Sequence, residues 1–195
     1  MQSELDMFPL DVCLLPGENM PLHIFENRYK ELINRCVENK GTFGIPFGMA
    51  EQHIGAEVRV KKVLKTFADG SLDIIVEALS SFHIQEYEAV FNKLTCDRAL
   101  VEELELQQLY TRNSELSQAY LEFRKAYFNV EERKLSFEDQ NLLLMARSVG
   151  LSRSQKIKFL ESSTEEQEAL ILKQVNYLLF IMRQDKSREF DFLLN

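Results

Sequence analysis

The sequence predicts an α+β protein in two parts, a small β-barrel that carries one helix and an all-α helical bundle that follows it. Up to about residue 105, apolar residues mostly recur at every second position, which is the period of a strand. Beyond that point they recur at helical spacing. The 195 residues include only seven Gly and four Pro, which leaves no room for a long flexible linker. Two closely coupled domains are therefore expected, at 1–105 and 106–195.

The beginning of the chain predicts a strand, a turn and a helix. Apolar residues alternate over 10–14 ahead of Pro16 and Gly17, which indicates a half-buried strand closed by a turn. Apolar side chains then fall on one face of a helix over 26–38, and Gly41 stands where a helix commonly stops. The residues on that face are Tyr29, Leu32, Ile33 and Cys36.

From Gly55 the apolar period returns to two. The spacing up to Val63 is that of a strand with a β-bulge, and Asp69 with Gly70 predicts a hairpin turn. The strands expected in this region lie at 58–63, 72–76, 82–84 and 99–101. In total the first part should hold about six strands and one helix, the content of a small barrel.

The second part shows four helix starts. The N-terminal caps are expected at Asn113 or Ser114, at Ser136 with Asp139, at Ser152 with Gln155, and at Thr164 with Gln167. The first helix should bury Leu116, Tyr120, Phe123 and Tyr127, and the last should bury Ile171, Val175, Leu178 and Met182. Gly150 should end the second helix. Four short helices with short connections predict a compact antiparallel bundle.

The charge is unevenly distributed along the chain. Residues 1–104 contain 17 acidic and 10 basic residues, whereas 105–195 contain 14 and 13, so nearly all of the net charge of −8 lies on the first part. Nucleic-acid binding needs clustered cationic side chains, and no nucleic-acid partner is therefore expected. An acidic recognition domain should instead favour cationic clients.

The cysteines and the apolar stretches point to a cytoplasmic protein. The three cysteines are an odd number at wide spacing, which fits neither a disulfide framework nor a C-x-x-C site and indicates a reducing compartment. The acidic N-terminus lacks the features of a signal peptide. The longest mostly apolar stretch, 169–182, is interrupted by polar residues and is shorter than the roughly 20 residues that span a bilayer. No membrane insertion is expected.

The sequence contains no motif for an enzyme site. The phosphate-binding loop, the G-x-S-x-G elbow and the dinucleotide fingerprint are all missing. His23 and Glu26 could share a helix face, but a structural metal site takes four ligands. We therefore expect no catalytic residues, no metal and no cofactor. The alternative is a hydrolase assembled in space, which would use Cys36 or a His–carboxylate pair.

The segment from Met7 to Tyr29 reads M-F-P-L-D-V-C-L-L-P-G-E-N-M-P-L-H-I-F-E-N-R-Y. It resembles the opening signature of the Lon protease N-terminal domain family, which is F-P-L, several apolar residues, P-G, a short spacer and P-L-x-I-F-E-x-R-Y. Residues 55–86 resemble the second block of the family, a strand, a D-G turn, a strand and an apolar-F-x-I ending. Within it Ala78 and Ser81 replace a common glycine and arginine.

The resemblance covers about residues 5–105 and implies a PUA-like β-barrel with a helical subdomain after it. It implies a non-catalytic substrate-recognition module that binds exposed or unfolded segments of client proteins in protein quality control, with a separate protease or chaperone as a further partner. The chain ends at Asn195, before the ATPase and protease modules of a full Lon protease, so a stand-alone form is expected. A PUA-like barrel by itself would also suggest RNA binding, against which the acidity of the barrel argues.

The prolines of the signature should shape the chain. Pro9 suits the start or edge of a strand, Pro16 with Gly17 turns the chain, and Pro21 fixes an extended approach to the helix. Three residues should anchor that helix to the sheet, namely Ile24, Phe25 and Tyr29.

The signature also contains charged residues and candidate contacts to a partner. Glu26 and Arg28 should form charge-assisted hydrogen bonds that hold the Pro-rich loop. The complete signature set is Phe8, Pro9, Leu10, Pro16, Gly17, Pro21, Leu22, Ile24, Phe25, Glu26, Arg28 and Tyr29. The candidate partner-binding residues are Met20, His23 and Phe82. An extended peptide would bind at a strand edge or in an apolar groove between barrel and helices.

Overall fold

The computed structural model describes residues 2–48, 53–90, 95–106, 110–130 and 134–193, with side chains up to residue 184. The chain divides into two compact units, Met1–Leu106, here called the barrel unit, and Gln107–Asn195, here called the helical unit. Strands and one helix make up the barrel unit, and helices make up the helical unit. The α+β class predicted from the sequence is confirmed.

In its described residues the barrel unit is one sheet with a single helix. Its elements are β1 (Gln2–Met7), β2 (Asn19–Ile24), α1 (Asn27–Asn39), β3 (Thr42–Pro46), β4 (Ile54–Thr66), β5 (Leu72–Glu88) and β6 (Asp97–Glu103). The strand order is β2-β5-β4-β3-β1-β6, and β5 also pairs with β6. This second pairing closes five strands into a barrel and leaves β2 outside it, as an edge strand paired with β5.

The strand β5 is long enough to pair with the edge strand β2 and also with β6, the strand that closes the barrel. Its first part pairs with β2 and its last part, from Phe82 onward, pairs with β6. The two strands predicted at 72–76 and 82–84 are therefore one. The hairpin turn at Asp69 and Gly70 is confirmed, and Gly70 has a φ of 78°, which favours glycine. The expected bulge in β4 is also confirmed, as one of three register shifts against β5.

The strand predicted at 10–14 is wrong. The first strand ends at Met7, and the chain is irregular from there until β2 begins. Consecutive residues are buried in this segment rather than alternating ones, namely Cys13, Leu14 and Leu15. A chain that buries three side chains in succession packs as an irregular layer and cannot present them on one face of a strand.

The helix α1 follows the prediction closely. All four residues of the predicted apolar face are buried. The helix ends differently from the expectation, because Lys40 and not Gly41 takes the left-handed conformation, with a φ of 53°. The amide of Gly41 donates a hydrogen bond of 3.0 Å to the carbonyl oxygen of Cys36, which closes the last turn.

The helical unit contains the four expected α-helices. They are α2 (Ser114–Phe128), α3 (Leu142–Ser148), α4 (Arg153–Glu161) and α5 (Thr164–Leu193). The side chain of Asn113 caps α2, and Ser152 with Gln155 forms the expected capping box of α4. None of the described helices combines the length and the apolar character needed to cross a bilayer.

Two helix starts differ from their predictions. Ser136 and Asp139 do form reciprocal hydrogen bonds, but they close a short 3₁₀ turn, and α3 begins only after Asn141. The cap of α5 lies one residue earlier than predicted, because the Ser163 hydroxyl accepts from the amide of Glu166. Both differences follow from competition among neighbouring polar residues that can each satisfy the free amides of a first turn.

Helix length and direction also differ from the prediction. Helix α5 has 30 residues and is not short. It runs in the same direction as α2, because Glu168 bonds Thr111 just before α2 while Arg183 pairs with Glu122 further along it. The predicted antiparallel arrangement is wrong for this pair. The segment that contains α3 and α4 brings the chain back to the end at which α2 begins, and α5 starts there. Tyr127 is 64% exposed rather than buried.

Candidate functional site

A pocket of about 450 Å³ opens beside the edge strand β2 in the barrel unit. Its walls come from the segment after β1, from the end of β2, from the first turn of α1 and from the start of β6. The lining residues are Phe8, Pro9, Leu10, Leu22, His23, Ile24, Phe25, Glu26, Arg28, Tyr29 and Asp97. All except the last belong to the segment that the sequence analysis singled out.

The floor of the pocket is apolar and packed. Phe8 and Tyr29 are both buried, and their ring centroids lie 4.2 Å apart at a tilted angle. The amide of Phe8 donates a hydrogen bond of 2.8 Å to Gly44, which fixes the chain where it leaves β1. Burial raises the pKa of Tyr29 to about 12, so its hydroxyl stays neutral at physiological pH. Ile24 is buried and completes the floor.

The rim of the pocket is aromatic and open to solvent. Phe25 is 64% exposed, so it does not anchor α1 to the sheet as expected. The His23 ring stacks on it with centroids 6.2 Å apart, and His23 Nδ1 lies 2.7 Å from Asp73 Oδ1. A phenylalanine this exposed beside an apolar cavity is typical of a binding surface, because a large apolar ring gains little from contact with water.

Glu26 and Arg28 pair with each other at the mouth of the pocket. Arg28 Nε donates to Glu26 Oε2 at 3.2 Å, and the guanidinium carbon lies 4.5 Å from the ring centroid of Tyr29. The expected charge-assisted hydrogen bond is therefore present, but it joins Glu26 and Arg28 to each other and, among the described residues, does not hold the Pro-rich loop. The two residues are only two positions apart at the start of α1, so their side chains lie closer to each other than to the loop.

The Pro-rich loop is held by other groups. The amide of Gly17 donates to Ala78 of β5 at 2.8 Å, and the amide of Ala78 donates to Glu18 at 2.9 Å. The Glu18 carboxylate also accepts from the amide of Leu15 at 2.9 Å. Gly17 takes a φ of 85°, which explains the need for glycine after Pro16.

Asp97 is the one lining residue that the sequence analysis missed. It is only 8% exposed, and its carboxylate accepts hydrogen bonds from the Tyr87 hydroxyl at 2.7 Å and the Val90 amide at 2.8 Å. Burial and the bond to this carboxylate raise the pKa of Tyr87. No motif surrounds Asp97, and the fold alone brings it to residues about 70 positions earlier, so sequence reasoning had no signal for it.

The remaining sequence-predicted residues lie away from the pocket. Met20 is half-buried on β2 opposite Val76, and Pro21 is exposed on the same strand. Phe82 is 1% exposed and belongs to the core of the barrel unit, so it presents no surface to a partner. We therefore leave Phe82 out of the candidate site.

The structure offers little to a metal or a nucleophile. His23 lies in β2 and Glu26 precedes α1, so the two do not share a helix face. Within the described ranges, no three His, Cys, Asp or Glu residues cluster as a metal site. The three cysteines are buried, and burial raises the pKa of Cys36 and that of Cys96, the latter to about 11. A nucleophilic thiol requires the opposite shift.

Solved structures share this architecture of a strand-rich unit followed by helices. A Lon N-terminal domain protein from Xanthomonas campestris is 21% identical, with a TM-score of 0.66 over 91% of this chain and 97% of that one. The N-terminal domain of Lon protease from Mycobacterium avium complex is 16% identical, with a TM-score of 0.57 over 89% and 98%. These likenesses define the class of fold, that of a Lon N-terminal domain.

A comparison of the sequence with family models identifies the family. The family model of the ATP-dependent protease La (LON) substrate-binding domain matches residues 4–182. The chain therefore belongs to the Lon substrate-binding domain family, as its signature segment led us to expect.

Proposed function

We propose that this protein is a non-catalytic polypeptide-binding module that recognises exposed or unfolded segments of client proteins. The observation that carries the proposal is the pocket beside β2, with the exposed Phe25 on its rim. The family's description as a substrate-binding domain supports it. We place binding in the domain 1–105, with 106–195 as a separate helical domain, and we propose a cytoplasmic role in protein quality control alongside a protease or chaperone.

The edge strand β2 is suited to pair with an extended peptide. It pairs with β5 on one side, and its six residues include no Lys, Arg, Asp or Glu. Proline has no amide proton, so Pro21 is expected to turn its nitrogen to the open side. Because backbone orientation alternates along a strand, Asn19 and His23 should share that direction. An added strand would bond to the amides and carbonyls of Asn19 and His23 and to the carbonyl of Pro21, which has no amide to donate, and would place side chains in the pocket.

Among the described residues of the barrel unit, β4 has an open edge that is protected. The last residue of β4 that faces β3 is Arg59, and the part of β4 beyond it is exposed. This part carries Lys61, Lys62 and Lys65 and is interrupted by two register shifts. Lysines, bulges and prolines are the usual means by which an edge strand avoids pairing with another chain, and β2 has a single proline where β4 has three lysines and two register shifts. The contrast favours β2 as the edge that accepts a peptide.

The alternative functions gain less support. A His–carboxylate pair does exist, His23 with Asp73, but the pair is exposed, and the other ring contacts of His23 among the described residues are with Phe25 and Phe67. A hydrolase would need a nucleophile beside the histidine. RNA binding would need a basic surface, whereas residues 1–104 are acidic.

Replacing Phe25 by Ala tests the proposed function. We expect a roughly tenfold weaker binding of a fluorescently labelled extended peptide rich in Leu and Phe, because the burial of one phenylalanine ring on binding is lost. Fluorescence anisotropy measures the affinity, and the melting temperature should stay unchanged because the ring is exposed. Leu64→Ala, half exposed on β4, is the matched control and should bind as the unmodified protein does. Equal binding by Phe25→Ala would contradict the proposal.

A further inference from the structure

We propose that the pocket beside β2 receives an arginine or lysine side chain of the bound polypeptide, with its charge facing Asp97. This inference rests on the proposed function and specifies which client segments the site prefers. It starts from a buried carboxylate whose partners, among the described residues, are both neutral.

The carboxylate of Asp97 has unused capacity for hydrogen bonds. It accepts one bond from the Tyr87 hydroxyl and one from the Val90 amide. An ionised carboxylate has about four lone-pair sites, so roughly half of them are taken. A buried charge is costly unless it is paired, and in the part of the chain that the structure describes no Lys, Arg or His forms an ion pair with Asp97. A cation that enters the pocket would supply the missing partner.

The other charges that line the pocket are already matched. Arg28 donates to Glu26, and its guanidinium lies over the ring of Tyr29. His23 pairs with Asp73. The charge left without a counterpart in the described lining is therefore negative and belongs to Asp97. The excess of acidic residues over 1–104 also attracts cationic side chains at long range.

The walls of the pocket suit the stem of a long cationic side chain. Arginine and lysine carry apolar methylene groups that pack on apolar surface while the charged end reaches a polar partner. Phe8, Leu10 and Tyr29 supply that surface, and the exposed ring of Phe25 on the rim can attract a cation. A pocket of about 450 Å³ has room for one such side chain. A strand added along β2 would present its side chains to this pocket at every second residue.

A pair of peptides tests the inference on the full chain. Both are extended, labelled and identical except at one central position, which is arginine in one and citrulline in the other. Citrulline has nearly the same shape as arginine but no charge. We expect the arginine peptide to bind roughly tenfold more tightly, the size of one charge-assisted hydrogen bond. Raising the salt concentration should narrow the difference.

Variants then assign the preference to Asp97. In Asp97→Asn the two peptides should bind equally, whereas in Glu102→Gln, which removes one negative charge from an exposed position of β6, the difference should persist. Lys93→Gln, outside the described residues, should also leave it unchanged. If Asp97→Asn fails to fold, Asp97→Ser takes its place in the comparison, because its hydroxyl can still accept a hydrogen bond from Tyr87 or Val90 and carries no charge.

The outcomes separate this inference from the proposed function. Equal binding of the two peptides to the unmodified protein would overturn the inference and leave peptide binding intact. A preference for arginine that survives in Asp97→Asn, or that grows in Lys93→Gln, would equally overturn the role of Asp97. If no extended peptide binds the unmodified protein at all, the proposed function itself is wrong.

Discussion

Replacing Phe82 by Ala is expected to lower the free energy of unfolding of the barrel unit by about 3–5 kcal/mol, the usual cost of truncating a buried phenylalanine. Phe82 is 1% exposed and lies where β5 changes partner from β2 to β6. Its ring packs with a cluster of buried residues from β1 and β6, namely Leu5, Met7, Ala99 and Val101. Because close-packed neighbours relax only partly, the substitution leaves a cavity at the closure of the barrel.

Denaturant unfolding followed by circular dichroism measures this loss. Phe25→Ala is the matched control, since it removes the same side chain from a surface where it is 64% exposed. The control should change the free energy of unfolding by less than about 0.5 kcal/mol. Similar losses for the two variants would mean that Phe82 is not a core residue.

Gly55→Ala is expected to destabilise the barrel unit by about 1–3 kcal/mol through overpacking. A Cβ atom at this position would lie 2.6 Å from two ring atoms of Phe82 and 2.7 Å from the carbonyl oxygen of Ile45. The ring could shift only by disturbing the core, and the carbonyl belongs to the backbone of β3. Glycine is therefore required here by close approach and not by its dihedral angles.

Gly41→Ala provides the comparison, measured by the same unfolding experiment. The nearest atom to a Cβ at Gly41 is the Cα of Cys36 at 3.8 Å, which is an ordinary contact. This variant should be neutral or slightly stabilising, because alanine restricts the unfolded chain. A loss at Gly41 as large as that at Gly55 would show that steric crowding is not the cause.

The sequence predicted the strongly periodic elements and missed those with weak patterns. Helix α1 places four apolar residues at helical spacing and was recognised almost to its ends. Strand β1 has only two buried residues, Leu5 and Met7, which is too short a run for a period of two to be recognised, and β3 buries consecutive residues on both faces. Strand β2 contains Pro21, which usually argues against a strand and is tolerated here because β2 lies at an edge.

The candidate site was predictable as a segment but not as a geometry. The signature from Phe8 to Tyr29 supplies ten of the eleven residues that line the pocket. The sequence does not show which of these residues form the floor and which form the rim. Tyr29 and Phe25 are both aromatic residues of the signature, but Tyr29 is buried and Phe25 is exposed. Asp97 enters through tertiary pairing of β6 with the distant β1, and such long-range contacts leave no local pattern.

Hydrogen exchange of the full chain, followed by mass spectrometry with and without the arginine-containing peptide, tests the central claim most directly. If an extended polypeptide pairs with β2 and fills the adjacent pocket, amides over 19–29 should exchange more slowly in the complex, while those over 61–66 of β4 should exchange as before. Protection confined to β4 or to the helical unit, with 19–29 unchanged under saturating peptide, would contradict the assignment of the binding site to β2 and its pocket.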